Sequence, residues 1–271
     1  MADEVRFAAD LYRGTAAAYE RYRLPYPAVM IADLARSIQA CGRGRLLDLA
    51  CGTGQLAFAL RRWFTEVWAV DQEPDMVEAV RAKATTAGAP NVRPVVSSAE
   101  ALDAQPEYFE LAVIGNAFHR LDRDLIANRI LGWLQPGGHL ALCWSSQPWT
   151  GEQSWQRALA ATLDRWRAVL GAQQRIPPGW EQARLRRPDS QVLSDAGFEL
   201  ARSHELAIEH RWTLPELAGL IRSTSFLPAA VLGDQAAAFD ADLAASLGHH
   251  SDDGALTETV SFIYHLAQKP D

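Results

Sequence analysis

Two aspartates and two glycines form the part of the sequence whose residue types suit the binding of a nucleoside. Asp48 ends an apolar run, Gly52 and Gly54 follow it, and Asp71 closes a second β-rich run nineteen residues after Gly52. A strand, a glycine turn and a helix direct backbone N–H groups toward a ligand, and glycine leaves no Cβ in its way. A carboxylate at the end of the second strand then accepts hydrogen bonds from two ribose hydroxyls. This spacing predicts a nucleotide-type cofactor.

Asp48 distinguishes two kinds of cofactor. Residues 52–57, GTGQLA, also fit the G-x-G-x-x-A form of the dinucleotide fingerprint, which suits an NAD-dependent oxidoreductase. A dinucleotide carries a doubly negative pyrophosphate that Asp48 would repel, whereas a ligand with a sulfonium and an ammonium group favours an acid there. Asp48 therefore favours S-adenosylmethionine. It can also cap the turn by accepting from nearby N–H groups, and the two roles are compatible.

Apolar runs and helical segments alternate from residue 45 to residue 144. Strands are predicted at 45–50, 67–71, 92–96, 109–116 and 139–144, and later ones at 198–208 and 257–267. Strands that alternate with helices imply parallel βαβ units in a doubly wound α/β sheet. Pro94 cannot donate to a ladder, so the third strand is expected at a sheet edge. A loop is predicted over 176–190, which contains three prolines.

The rhythm of strands and helices breaks after Trp144. We expect a helical lid segment over 1–35, a cofactor-binding core over 36–145 completed by 195–208 and 257–271, and a helical cap over 146–194 and 209–256. Such a cap would cover the substrate site and would suit a small-molecule acceptor. Six tryptophans either line a lid over an apolar or aromatic acceptor or form the core of the cap itself: Trp144, Trp149, Trp155, Trp166, Trp180 and Trp212.

Five motifs make the chain similar to the class I S-adenosylmethionine-dependent methyltransferases of the methyltransferase type 11 kind. They are LDLACGTGQL (47–56), VDQEPDMVEAV (70–80), SSAEAL (97–102), NAFHRLDR (116–123) and LQPGGHLAL (134–142). The resemblance implies a Rossmann-like, mostly parallel seven-stranded sheet with an antiparallel last strand and a helical insert. It also implies S-adenosyl-L-methionine as cofactor and S-adenosyl-L-homocysteine as product. The layout resembles small-molecule methyltransferases of secondary metabolism, which methylate an O or N atom.

The resemblance also implies which residues hold the cofactor. Gln72 would lie beside the adenine, with Met76 packed on it. The family often has Asp where this chain has Ser98, so the backbone of Ala99 and the side chain of Glu100 are the remaining candidates for the adenine amine. The expected cofactor-binding residues are Asp48, Ala50 (in place of the family's first glycine), Gly52, Gly54, Gln55, Asp71, Gln72, Met76, Ser98, Ala99, Glu100, Asn116, Tyr19 and Arg23.

Methyl transfer from a sulfonium is an in-line displacement with a neutral leaving group, so catalysis rests mainly on positioning and on exclusion of water. A base is needed only for a nucleophile, such as a hydroxyl, that must lose a proton early. His119, just past the fourth strand, is the candidate base, although it can instead pack on the cofactor or cap the next helix. Asn116 can orient an amine. Tyr19 and Arg23 can bind the methionine carboxylate or exclude water.

Composition and charge limit the remaining classes. The 271 residues carry a net charge of −7, which argues against a nucleic-acid partner, and the [D/N]-P-P-[FYW] motif of nucleic-acid amino methyltransferases is absent. The three cysteines show no paired spacing, and no apolar run nears roughly 18 residues. We therefore expect a cytoplasmic protein without a metal site or a membrane span, and we interpret His249, His250, Asp252 and Asp253 as a solvated loop. A non-catalytic cofactor-binding regulator is a further alternative, and no oligomeric state is predicted.

Overall fold

The computed structural model describes residues 7–250 and 254–271. The expected lid segment over 1–35 is therefore described from Phe7 onward. Asp252 and Asp253, part of the expected solvated loop, lie outside the described residues.

Within these ranges, seven strands form one sheet in the order β3-β2-β1-β4-β5-β7-β6. They are β1 (Arg45–Leu49), β2 (Glu66–Asp71), β3 (Val92–Val96), β4 (Phe109–Gly115), β5 (Leu134–Ser145), β6 (Glu199–Thr213) and β7 (Ala255–Gln268). The first five strands pair in parallel, and β7 pairs antiparallel with both β5 and β6. The predicted fold, a doubly wound Rossmann-like sheet with an antiparallel last strand, is confirmed. β3 lies at an edge of the sheet, as Pro94 predicts.

Helices cover both faces of the sheet and build a cap at one end of it. They are α1 (Ala16–Tyr22), α2 (Ala28–Ser37), α3 (Gln55–Leu60), α4 (Pro74–Thr86), α5 (Arg123–Trp133), α6 (Ser154–Val169), α7 (Trp180–Arg186), α8 (Asp189–Asp195), α9 (Leu214–Arg222), α10 (Ala229–Leu232) and α11 (Ala236–Leu247). Pro74 stands in the first turn of α4, where its missing N–H has no intrahelical acceptor to lose.

Helices bury the sheet on both faces. Successive residues of the inner strand β1 point to opposite faces and therefore pack against different helices. Leu46 of β1 belongs to an apolar cluster that it shares with Leu34 of α2 and Leu56 of α3. Leu47 belongs to the opposite cluster, which contains residues of α5 and α8, including Ile126. The two layers fix the strand ends from which the site projects.

The cap has an apolar core of its own. Residues of α6, α9 and α11 bury one cluster that includes Trp155, Trp166 and Trp212, the last of which stands at the end of β6. The N-terminal α1 contacts α9 of the cap as well as α4 of the core. Gly219 of α9 permits this approach, because a Cβ there would lie 2.5 Å from the Tyr22 ring.

Two segments after β5 differ from expectation. The predicted loop over 176–190 is wrong for residues 180–186, which form α7, because the prolines bracket this helix rather than interrupt it. Gly179, at φ +78°, allows the turn that begins it. Residues 189–195 form α8, which packs on α5 and β6, although we expected the cap to extend to residue 194. The division of the chain into lid, core and cap stays a prediction.

Candidate active site

A cavity of about 1080 Å³ lies at the carboxyl end of the parallel strands, between the sheet and the cap. Its walls include Gly52 after β1, Asp71 at the end of β2, Ala99 after β3, Asn116 after β4 and Ser145 at the end of β5. Open α/β sheets bind their ligands at this edge because the loops that follow the strands converge there. The cavity is large enough for a nucleoside and a second small molecule.

The turn after β1 needs backbone conformations that few residues adopt. Ala50 and Gly52 both have φ +55°, in the left-handed region, and both line the cavity. A Cβ on Gly52 would lie 3.2 Å from the Tyr19 ring, so the missing side chain leaves room between the turn and α1. Gly54, at φ +79°, faces the core instead, where a Cβ would meet Phe58 and a neighbouring valine at 3.2 Å.

Asp48 lies beneath this turn. Its side chain is 1% exposed, and Oδ2 accepts the backbone N–H of Ala57 at 2.8 Å. Burial raises its pKa to about 8, more than the hydrogen bond from Ala57 lowers it. Asp48 therefore caps the start of α3, as the structural interpretation of this residue predicts. Its expected action on a cationic cofactor would operate through the turn, since Asp48 is absent from the cavity wall that the described residues form.

Asp71 presents a carboxylate at the cavity wall while both its oxygens hold backbone groups. Oδ2 accepts the N–H of Gly52 at 2.8 Å and Oδ1 accepts the N–H of Glu73 at 2.9 Å. Burial raises the pKa of Asp71, although these hydrogen bonds oppose the shift. Each oxygen retains a lone pair, so the carboxylate can also accept from the hydroxyls of a ribose.

Beyond Asp71, the predicted adenine side of the cavity has an apolar floor and a polar rim. Met76 is 2% exposed and lines the wall. Gln72 also lines it, and its Nε2 donates to the carbonyl of Ala9 at 2.7 Å, which places the N-terminal segment over this side. Ala99 and Glu100 belong to the lining. Ser98 is outside it, and its Oγ accepts the N–H of Ala101 at 3.1 Å, a local turn contact.

Asn116 joins three elements at the end of β4. It has φ +52°, an uncommon conformation that Asn tolerates better than most residues. Its Nδ2 donates to the hydroxyls of Tyr26 and Ser145, and its Oδ1 accepts the N–H of Ser145 at 3.0 Å. The amide group is thus engaged by the protein, so its visible role is to fix the cavity wall. Orientation of an amine by Asn116 stays a prediction.

His119 lines the cavity and lies among aromatic rings. Its ring centroid is 4.8 Å from that of Trp180 and 5.5 Å from that of Trp144. Burial lowers its pKa well below the ordinary value, and the positive charges of Arg120 and other nearby arginines add to the shift. The ring is therefore neutral at neutral pH. Its Nδ1 is buried and has no hydrogen-bond partner among the described residues.

Tyr19 and Arg23 close the cavity from the side of α1, and both line it. Burial raises the pKa of Tyr19 to about 12, so the phenol keeps its proton. Arg23 donates from Nε to Ser223 Oγ at 2.8 Å and lies 4.9 Å from the Tyr19 ring. Gln55 does not line the described part of the cavity, but its Nε2 reaches the Arg23 carbonyl at 3.3 Å.

The structure brings most of the predicted site together. The predicted residues that line the cavity are Tyr19, Arg23, Ala50, Gly52, Asp71, Gln72, Met76, Ala99, Glu100, Asn116 and His119. Those outside the lining formed by the described residues are Asp48, Gly54, Gln55 and Ser98. The set fits a nucleoside, because a carboxylate, a glycine turn without a Cβ and a buried methionine face one space.

Sequence reasoning missed part of the site. Arg120 lines the cavity, although the sequence singled out its segment for Asn116 and His119. The tryptophans divide between the two roles considered: Trp144, Trp149 and Trp180 line the cavity, while Trp155, Trp166 and Trp212 belong to the cap core. Helical spacing could have identified two of the tryptophans of the cap core. Trp155 and Trp166 share one face of α6 with Leu159 and Leu163, and all four side chains are buried.

Comparisons with known proteins identify the domain that contains this site. Residues 46–138 match the family model of a methyltransferase domain. An uncharacterized methyltransferase of Mycobacterium tuberculosis is 30% identical over 148 residues, which are 55% of this chain and 56% of that protein. The chain thus spans about half the length of the first curated relatives it matches.

A further relative bears on the partner. The ribosomal RNA small subunit methyltransferase G of Deinococcus deserti is 38% identical over 103 residues, which are 36% of this chain and 41% of that protein. This relative acts on RNA by name, so the expectation of no nucleic-acid partner lacks support from the comparisons. Among the helices that the structure describes, none is long and apolar enough to cross a membrane.

The fold agrees with the family. The solved structure of a candidate type II methyltransferase from Anaeromyxobacter dehalogenans has a TM-score of 0.59 at 21% identity and covers 92% of this chain and 98% of its own. The resemblance drawn from the five motifs is confirmed. Residues 46–138 match a methyltransferase domain, as the motifs in this part of the chain predict, and the chain has the fold of solved methyltransferase structures.

Proposed function

We propose that the protein transfers a methyl group from S-adenosylmethionine to an O or N atom of a small molecule. The observation that carries the proposal is the continuity of one cavity, which runs from Asp71 and the glycine turn to the aromatic walls under the cap. Methyl transfer needs both molecules in one enclosure, in line and away from water. A role in secondary metabolism agrees with this layout and is part of the proposal.

Different residues of the chain would bind different parts of the cofactor. Asp71 would accept from the ribose hydroxyls, because its carboxylate is already fixed by two backbone N–H groups. Gln72, Met76 and the backbone of Ala99 would hold the adenine. When bound, S-adenosylmethionine supplies a methyl group on a sulfonium. Arg23 and Tyr19 stand near the glycine turn and would bind its carboxylate and exclude water.

His119 would serve as the base if the acceptor is a hydroxyl. The ring is neutral, its buried Nδ1 has no hydrogen-bond partner among the described residues, and three aromatic rings contact it. Its lowered pKa makes it a weaker base than an exposed histidine, so it suits a step in which proton transfer accompanies displacement. With an amine acceptor, the lone pair attacks directly and His119 would only shape the pocket.

Two other hypotheses about the function of this cavity predict different experimental results. A non-catalytic regulator would bind the cofactor without turnover, and an NAD-dependent oxidoreductase would bind NAD in its place. An RNA acceptor is a third reading, because one relative is named as a ribosomal RNA methyltransferase. The small-molecule interpretation is preferred because cap residues, including Trp149 and Phe226, line the same cavity as Asp71 and the glycine turn.

The test has two arms. Calorimetry should detect binding of S-adenosylhomocysteine and no binding of NAD at the same concentration. Labelled S-adenosylmethionine should then deliver its methyl group to a fraction of small metabolites and not to total RNA from the same cells. Binding of NAD alone would replace the proposal with an oxidoreductase, label in RNA would replace the acceptor class, and cofactor binding with no labelled product would support a regulator.

A further inference from the structure

We propose that Arg120 binds an anionic group of the methyl acceptor, so that the acceptor joins a carboxylate or a phosphate to an aromatic body. This inference rests on the proposed function, because it assigns the substrate class of that same cavity. It concerns a residue that follows the candidate base directly in sequence, in the short 3-10 helix over Phe118–Arg120 after β4.

The guanidinium of Arg120 belongs to a residue that lines the cavity, and some of its N–H donors have no acceptor. Nη2 donates to the hydroxyl of Ser225 at 3.0 Å. Nε and Nη1 are buried and have no hydrogen-bond partner among the described residues. The rings of Phe7 and Tyr12 lie 4.6 and 5.1 Å from its central carbon. Aromatic rings contact the guanidinium but accept little from N–H donors, so these donors need a further acceptor.

Buried guanidinium N–H groups without acceptors are costly, and an anion removes the cost with charge-assisted hydrogen bonds. Two other arginines that line the cavity have acidic partners. Arg184 donates to Asp189 at 3.0 Å, and Arg167 donates to Asp164 at 3.1 Å. Arg120 has no acidic partner in the part of the chain that the structure describes. Among the arginines that line the described cavity, Arg120 has the most buried guanidinium nitrogens without an acceptor, Nε and Nη1, whereas Arg167 has Nε alone.

The position of Arg120 favours the acceptor over the cofactor. Arg23 also lacks an acid among the described residues, and it lies beside the glycine turn, where Gln55 contacts its carbonyl. Arg23 thus suits the methionine carboxylate. Arg120 instead donates to Ser225, in the cap segment between α9 and α10, and it follows His119 in the 3-10 helix. An anion on Arg120 would place the rest of its molecule beside the candidate base.

The walls around Arg120 define the rest of the acceptor. Trp144, Trp149, Trp180 and Phe226 all line the cavity, and Trp180 lies 4.8 Å from the ring of His119. Trp144 Nε1 is also buried and has no hydrogen-bond partner among the described residues. Flat aromatic bodies fill such walls by stacking. The combination selects an aromatic acid over a cation or a sugar.

Three probes with one aromatic body test the proposal: naphthoate, naphthyl phosphate and the neutral naphthamide. Each is titrated by calorimetry into protein saturated with S-adenosylhomocysteine. We expect at least one of the two anions to bind about tenfold tighter than the amide or tighter still. A tenfold difference in affinity corresponds to the free energy of a charge-assisted hydrogen bond. The preferred anion tells a carboxylate from a phosphate acceptor. This comparison needs no variant and so does not depend on the folding of one.

Variants then assign the preference to Arg120. Arg120→Gln should abolish the preference for the anion, and Arg120→Lys should keep part of it. The matched control is Arg62→Gln, because Arg62 also lies over an aromatic ring, that of Trp63 at 3.9 Å, but away from the cavity. It should leave all three affinities unchanged. The affinity for S-adenosylhomocysteine should change less than about twofold in every variant.

The outcomes separate this inference from the function on which it rests. Equal binding of amide and anions to the wild type, or binding of none of the three by protein that holds S-adenosylhomocysteine, would overturn the role of Arg120 alone. So would an Arg120→Gln variant that loses S-adenosylhomocysteine by the same factor as the anion, since Arg120 would then serve the cofactor. Failure of the wild type to bind S-adenosylhomocysteine would overturn the proposed function instead.

Discussion

Gly52 donates its backbone N–H to Oδ2 of Asp71 at 2.8 Å, which ties the turn after β1 to the end of β2. The second oxygen of Asp71 accepts from Glu73 at 2.9 Å, at the start of α4. One carboxylate thus organises two loops of the cavity before any ligand arrives. A ligand that binds Asp71 meets a group whose position is already fixed, so it loses little free energy in ordering that group.

Asp71 should affect both folding and cofactor binding, and two substitutions separate the effects. Asp71→Ala leaves two backbone N–H groups without an acceptor, whereas Asp71→Asn can still accept from one of them. We expect Asp71→Ala to weaken binding of S-adenosylhomocysteine by about 1.5–3 kcal/mol for each charged bond lost and to lower the free energy of unfolding. Asp71→Asn should bind weakly and fold nearly as well as the wild type.

Calorimetry and urea unfolding measure the two quantities, and Asp103→Asn, an exposed acid outside the cavity lining, serves as control. Wild-type affinity in both Asp71 variants would show that the ribose binds elsewhere.

The two glycines of the turn should respond differently to the same substitution. A valine at Gly54 would push Cβ against Phe58 and Val80 inside the core at a φ of +79°. We expect Gly54→Val to lower the free energy of unfolding by about 1–3 kcal/mol or more, from overpacking and from the left-handed backbone. A Cβ at Gly52 would have the same left-handed backbone strain, at φ +55°, but the nearest atoms, at 3.2 Å, belong to the half-buried Tyr19 ring rather than to the core.

Gly52→Val should therefore lose cofactor affinity with a smaller loss of stability. Thermal unfolding and calorimetry on both variants test this order. A Gly52→Val protein that binds S-adenosylhomocysteine normally would remove the turn from the site.

Much of this site could be predicted because the ends of parallel strands project to one edge, whatever the details of packing. The positions of Gly52, Asp71 and Asn116 follow from strand order and chain spacing alone. The role of Gly54 did not follow, since the side of the turn that faces the core depends on Phe58 and Val80, which lie farther along the chain. For Asp48, the sequence allowed both a cofactor role and a capping role. The structure shows the capping role, because Asp48 is buried beneath the turn and accepts the N–H of Ala57.

The acceptor side was harder to predict, because long-range packing builds it. Arg120 meets Ser225 across 105 positions of sequence, and no local pattern specifies that contact. The helix α7 brings Trp180 against His119, although three neighbouring prolines favour a loop in this segment. Prolines exclude a helix only from the turns they occupy, so a short helix between them remains allowed.

His119 should make the protein less stable in acid. Its pKa in the folded protein lies well below the ordinary value of about 6.5, which the unfolded chain recovers. Below that pH His119 is protonated in the unfolded state but stays neutral in the folded state, so the free energy of unfolding falls as the pH falls. Between pH 7.5 and pH 5.5 the wild type should lose more stability than His119→Phe, a ring-for-ring substitution that cannot titrate, and the difference is at most about 1.4 kcal/mol because the unfolded histidine has a pKa of about 6.5.

Urea unfolding at the two pH values gives the difference. The other histidines contribute equally to both proteins and cancel. Parallel pH dependence of the two proteins would mean that His119 has an ordinary pKa in the folded protein.

Asp48 provides the sharpest test of why an acid stands beneath the glycine turn. Its pKa of about 8 means that the folded protein keeps much of this carboxyl protonated at pH 7.5. A sulfonium bound above the turn would favour the charged carboxylate and lower that pKa, so binding should release part of a proton. S-adenosylhomocysteine lacks the sulfonium and should release less.

Calorimetry in two buffers of different ionisation enthalpy measures the proton released by each ligand. The variant Asp48→Asn is the control, because its side-chain oxygen can still accept the N–H of Ala57, which Asp48 accepts at 2.8 Å. We expect the difference in proton release between the two ligands to shrink in this variant. It should also shrink in the wild type at about pH 9.5, where Asp48 is already ionised. An unchanged difference in Asp48→Asn would leave Asp48 with the capping of α3 as its only role, and the charge of the cofactor would then be balanced by other groups.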